Sequence, residues 1–154
     1  MCLSEGVLRV LRELAGDRDI EAFIADLVAE RLDPKRRVEV YLELHNAYLR
    51  EAEGLYARGD LVQAGEKYWG AVTALLNAIA ELRGWEHYSH RDYAVIVDRL
   101  YGETGDGELV VGFRLAEGLH ANFYHNFMSK GEFDIHRDAV IKLMDKLRRL
   151  LEGR

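Results

Sequence analysis

Apolar positions recur at intervals of three and four along almost the whole chain, which predicts amphipathic helices, and no run alternates as a strand would. The longest β-like stretch is Val110-Val111 with its neighbours, too short to count. Ser4 caps a first helix over Glu5–Ala15, with Val7, Leu8, Leu11 and Leu14 on one side and Gly16-Asp17 as the stop. Asp19 caps a second over Ile20–Arg31, where Phe23, Ile24, Leu27 and Val28 line one face. Asp33-Pro34 opens a third, because Asp accepts orphan amide hydrogens and Pro has no N–H to leave unbonded at the first helical position.

That third helix runs to Arg58 with Val38, Tyr41, Leu44, Tyr48, Ala52, Leu55 and Tyr56 inward, and Gly59-Asp60 ends it and caps the next. The fourth, Leu61–Arg83, carries an apolar stripe (Leu61, Tyr68, Val72, Leu75, Ile79, Leu82) and a stripe of alanines (Ala64, Ala71, Ala74, Ala78). Small side chains admit a close neighbour, so this helix is expected at the centre. After the loop Gly84–Tyr88, Ser89 caps a fifth helix ending near Tyr101-Gly102, with Tyr93, Ile96, Val97 and Leu100 inside. A polar turn, Gly102–Gly107, precedes a sixth over Glu108–Ser129; Gly131 is read as the break before a last helix, Ile135–Leu151. Val140, Leu143, Met144 and Leu147 form its apolar side, and Lys142, Lys146, Arg148 and Arg149 suit a C-terminal helix end.

The expected fold is therefore all-α, a six- to seven-helix bundle of helical hairpins. Its 154 residues read as one domain over 1–154, with N-terminal helices in 1–32 and a core in 33–152. Tyr56, Gly59-Asp60, Ala64, Tyr68 and Ala71 resemble the turn of a tetratricopeptide repeat, but one copy does not make a solenoid.

Composition narrows the function. Hydrophobic residues are 49% and charged residues 31%, as in folded soluble domains. The net charge of −6 is unfavourable to broad electrostatic capture of nucleic acid or anionic membrane. A single cysteine, Cys2, cannot form an internal disulfide. No signal-like segment or membrane-length apolar run is visible, so a cytoplasmic location without membrane association is expected. Scarce Asn, Gln and Cys beside common Glu, Arg and Tyr suggest a thermophilic source.

Candidate chemistry concentrates in the sixth helix. His120 falls in the stripe Leu109, Phe113, Ala116, His120, Phe123, Phe127, an inward position where burial would lower its pKa and keep it neutral near pH 7. Arg114, Gly118, Ala121 and His125 form a second stripe, in which two small residues leave a shallow groove. Arg114 and His125 are about 16 Å apart along the axis, so a shared site needs other helices or a second subunit. The plainer readings are that His120 is a hydrogen-bonded core residue, that Asn122 and Tyr124 pack and bond, and that Arg114 pairs with Glu117. His87 and His90 beside Glu86, or His120 with Glu117 and Tyr124, lack the spacing of a zinc site, and no phosphate-binding Gly-rich loop follows a strand; no metal or cofactor is expected.

Two segments carry a family resemblance: Gly59-Asp60-Leu61-Val62-Gln63-Ala64-Gly65-Glu66-Lys67-Tyr68-Trp69-Gly70-Ala71, and Leu119-His120-Ala121-Asn122-Phe123-Tyr124. Together they resemble the archaeal PaREP family of small, all-helical, mostly uncharacterised proteins, over roughly residues 35–150. That family is in turn similar to the HEPN superfamily of helical nucleotide- and RNA-associated domains. The resemblance implies a HEPN-like core, a homodimer, and a metal-independent ribonuclease signature of an arginine, four to six residues, then a histidine, with the site formed across the dimer. Two placements fit. Arg114 and His120 enclose five residues, although Leu115 stands where a polar residue is usual. Alternatively His125 takes the histidine place and His120 that of the arginine, with Asn122 near the polar position. In the first, Arg114 would steady a phosphate and His120 would move a proton at the ribose 2′-hydroxyl, with Glu117, Asn122 and Tyr124 as binding residues. The resemblance thus implies nucleotide or RNA binding with weak or degenerate ribonuclease potential. The alternative expectation is a non-catalytic interaction module, a toxin–antitoxin partner or a tetratricopeptide-like scaffold, resting on the Gly59 hairpin and on exposed tyrosines.

Overall fold

The computed structural model describes residues 2–153. They form α1 (Glu5–Ala15), α2 (Ile20–Ala29), α3 (Pro34–Ala57), α4 (Leu61–Arg83), α5 (His90–Thr104), α6 (Gly107–His125) and α7 (Lys130–Leu151), and no strand among the described residues. Val110 and Val111 lie within α6. No described helix is long and apolar enough to cross a membrane.

The caps explain the starts. The side chains of Ser4, Asp19, Asp33, Asp60 and Ser89 accept from backbone amides of the first turns that follow them. At Ser89 the bond is reciprocal, because Asp92 in turn accepts from the Ser89 amide. Two stops differ from the sequence reading. α5 continues past Gly102 to Thr104, and the left-handed Gly105 (φ 69°) ends it. α6 stops at His125, short of Ser129, because Asn126 takes a left-handed conformation. The buried Asn122 side chain then accepts from the amides of Phe127 and Met128, each at 2.8 Å. Ser129 caps α7, so Gly131 lies in its first turn and breaks nothing.

α4 is the centre of the core. It packs against α3, α5, α6 and α7, and Ala64, Tyr68, Ala71, Val72, Leu75, Leu76 and Ala80 on it are completely buried. The alanine stripe allows this approach, in agreement with the sequence pattern. Leu82, expected in the apolar stripe, is exposed near the helix end.

The tyrosines divide. Tyr88, Tyr101 and Tyr124 are exposed, whereas Tyr41, Tyr48 and Tyr68 are buried, as their inward places in the helical pattern predict. Each buried phenol donates to a carboxylate at the edge of the core: Tyr41 to Asp26, Tyr48 to Asp19, Tyr68 to Glu53. The first two bonds tie α2 and its cap to α3. α1 is held more lightly. It packs on α2, and Val7, Val10 and Leu14 of its apolar face stay exposed.

Candidate functional site

The periodicity of α6 predicts His120 among apolar neighbours in the core. It stands instead at the edge of the bundle beside the start of α5, and its side chain is 25% exposed. Its Nδ1 lies 2.7 Å from Glu66 Oε2 on α4. An ionised carboxylate can only accept, so Nδ1 carries the hydrogen and Nε2 is left for other partners.

A second imidazole accompanies it. His90, the first residue of α5, has its Nε2 2.8 Å from Glu117 Oε1. The rings of His90 and His120 are each stacked on Trp69, 5.1 Å between centroids and 24° between planes, and are 6.1 Å from each other. That separation places both on the same face of the indole. Glu117 is shared: its Oε2 accepts from Arg114 at 2.6 Å. The result is a continuous array from Arg114 through Glu117 and His90, across Trp69, to His120 and Glu66. The i,i+3 pairing of Arg114 with Glu117 is therefore present, and it links the arginine to the imidazoles.

The array borders a cleft of about 330 Å³ that both imidazoles line. One wall is α4, with Glu66, Lys67, Trp69 and Thr73; the facing wall is Asp17, Arg18 and Asp19 from the α1–α2 turn. Tyr124 stands at the mouth, its ring edge-on to His120 with centroids 5.2 Å apart. Partial desolvation and the charges of Glu66 and Asp17 raise the pKa of the Tyr124 phenol, so it remains a hydrogen-bond donor at neutral pH. Burial likewise raises Tyr93, deeper in the cleft, to about 12. Asp26 on the floor is raised by desolvation, against the opposing effects of the Tyr41 hydrogen bond and Arg18. The cations are partly committed: Lys67 to Glu51 and Asp19, Arg18 to Asp26. A wider, open groove of about 550 Å³ between α2 and α3 contains no histidine.

Of the residues singled out from sequence, His120 and Tyr124 line the cleft, and Arg114 and Glu117 lie beside it, joined to it through His90. His125 is exposed on the last turn of α6 and does not line the cleft. Asn122 is 1% exposed and is spent on the backbone after α6. The groove expected between Arg114 and His125 is filled, since a Cβ on Gly118 would meet His136 at 2.9 Å and Met128 at 3.3 Å. Sequence reasoning does not identify Glu66, Trp69 and His90 as partners of His120. They come from other helices, and no spacing along α6 signals them.

No three His, Cys, Asp or Glu side chains among the described residues are placed to hold one metal ion. What the rim offers is proton transfer at two imidazoles, each oriented by a carboxylate, beside an arginine.

A model of the archaeal PaREP1/PaREP8 family matches residues 40–144. No curated protein and no solved structure matches the chain. The matched span runs from α3 into α7 and contains the whole imidazole array, while Asp17, Arg18 and Asp19 of the facing wall lie outside it. The chain belongs to the archaeal PaREP1/PaREP8 family.

Proposed function

We propose that this chain is a HEPN-like helical domain that binds one nucleotide or the end of a single RNA strand at the His120 cleft and cleaves a ribose-linked phosphodiester there without metal. The observation that carries this reading is the array in which His120, fixed by Glu66, is linked across Trp69 to His90 and from there through Glu117 to Arg114. Of the two sequence placements it favours the first, with Arg114 and His120, because Glu117 and His90 join Arg114 to the imidazole array. Arg114 is 60% exposed and can turn from Glu117 to a phosphate oxygen, and a guanidinium suits that acceptor. Asp17, Asp19 and Asp26 make the cleft a poor bed for a long polyanion, so the grip is confined to one nucleotide at the rim. A homodimer placing two copies of α6 near each other would supply a second Arg114.

The test is incubation of the protein with an RNA oligonucleotide and its all-deoxy counterpart in EDTA. Cleavage of RNA alone, lost in His120→Ala at unchanged folding, supports the reading; cleavage of neither strand, or of both, refutes it.

A second reading, a non-catalytic interaction module, draws on the exposed apolar face of α1, with Val7, Val10 and Leu14 at helical spacing. Deleting residues 2–15 would then abolish partner binding while leaving the cleft intact.

A further inference from the structure

We infer that His90 is a second proton-transfer residue, acting with His120 as an acid–base pair within a single chain. This rests on the cleavage reading above and adds to it a residue outside the Arg114–His120 signature.

Cleavage at a ribose 2′-hydroxyl needs two proton transfers. One group takes the proton of the 2′-hydroxyl while the O2′–P bond forms; another gives a proton to O5′ while the P–O5′ bond breaks. The products are a 2′,3′-cyclic phosphate and a free 5′-hydroxyl, and no other reactant is consumed. A lone imidazole would have to serve both oxygens. Two imidazoles 6.1 Å apart, one neutral and one protonated, can flank one phosphorus.

The hydrogen bonds are arranged for that division. His90 is anchored through Nε2 and His120 through Nδ1, so Nδ1 of the first and Nε2 of the second are the nitrogens not engaged by those carboxylates. Stacking on one face of Trp69 fixes both ring planes. His90 also begins α5 immediately after the Ser89 cap, so its backbone is held within the reciprocal Ser89–Asp92 bond. The charged and titratable groups around the pair are Asp17, Arg18 and Asp19 of the α1–α2 turn, Asp26 of α2, Tyr48 of α3, Glu66 and Lys67 of α4, Tyr88 before α5, Asp92 and Tyr93 of α5, and Arg114, Glu117 and Tyr124 of α6.

The test uses the full chain and the dinucleoside monophosphate UpA in EDTA, with rate measured against pH. The wild type should give a bell-shaped profile. His90→Gln retains a donor near the Nε2 position for Glu117 but cannot exchange a proton. It should flatten one limb and lower kcat by about 10²–10⁴-fold with little change in KM. His120→Asn, which keeps a donor near Nδ1 for Glu66, should flatten the other limb. In a second measurement, uridine 3′-monophosphate is titrated into wild-type protein, and the Cε1–H resonances of both His90 and His120 should shift. A full bell and full rate in His90→Gln, or a shift of the His120 resonance alone, overturns the pairing while leaving the cleavage reading standing. Absence of wild-type cleavage overturns both.

Discussion

Glu66 and His120 join α4 to α6 through a 2.7 Å hydrogen bond at the mouth of the cleft. The carboxylate selects the imidazole tautomer, with its hydrogen on Nδ1, and points the ring along Trp69. Glu66→Gln preserves an acceptor and removes the charge. It should lower kcat for RNA cleavage by less than the about 10²–10⁴-fold loss expected for His120→Ala, with KM nearly constant. Steady-state kinetics of the two variants, with circular dichroism to verify folding, make the comparison.

Binding should depend only shallowly on salt. Arg18, Lys67 and Arg114 are all already paired with carboxylates, and Arg114 is the most exposed of the three. One or two phosphate contacts to a single strand predict a log–log slope of about −0.7 to −1.4. Fluorescence titration of a short labelled RNA between low and moderate salt reads this directly. A much steeper slope would show a broad basic surface.

His45 gives the fold an acid sensitivity of its own. Its Nδ1 is 2.8 Å from the Ala71 carbonyl, and Arg148 approaches Nε2 at 2.6 Å. Burial holds its pKa below the usual 6.5, and the Arg148 charge acts the same way against the opposing Ala71 bond. The unfolded chain takes up a proton as pH falls through 6.5, while the folded chain resists until lower pH. This contribution to stability is therefore full above 6.5 and is lost progressively below it. The difference in urea midpoint between wild type and His45→Gln should shrink as pH drops from 7.5 to about 5.

Asn122→Ala should destabilise the protein by about 1–3 kcal/mol, since two part-buried amides of the α6–α7 link lose their acceptor. Both bonds from Phe127 and Met128 end on the same Oδ1. Denaturant unfolding measures the loss. Cleavage per folded molecule should stay within a few-fold of wild type, which separates Asn122 from the cleft residues.

Gly112→Ala and Gly102→Ala should move stability in opposite directions. A Cβ at Gly112 would meet Leu143 Cβ at 2.9 Å and force α6 away from α7, a cost of about 1–3 kcal/mol. Gly102 lies inside α5, and an added methyl there would meet nothing within 4 Å, so alanine should add about 0.5–1 kcal/mol through backbone entropy. Thermal unfolding of the two variants tests both signs.

Much of the helical framework could be read from local chemistry. Asp33-Pro34, Asp60 and Ser89 start helices because their oxygens satisfy amides only two or three residues away, a relation that sequence alone contains. The central place of α4 was legible in its alanines for a similar reason, since side-chain volume limits how near a neighbour can come. The end of α6 was not, because Gly131 carries the usual stop signal while the break is made by Asn126 and by a side chain four residues before it.

The sequence by itself determined that the chain is helical, where most helices begin, and that Arg114, Glu117, His120 and Tyr124 share the sixth of them. Tertiary structure alone decided what those residues face. His90 is thirty positions from His120, and Glu66 is fifty-four, yet Trp69 and α4 bring all three to one rim. Helical periodicity fixes which side chains lie on the same face, within about 5–6 Å between Cβ atoms at spacings of three and four. It carries no information about which helix will cross that face. The crossing is set by how the whole set of apolar surfaces packs, and that packing turned an inward-looking histidine out to the edge of a cleft.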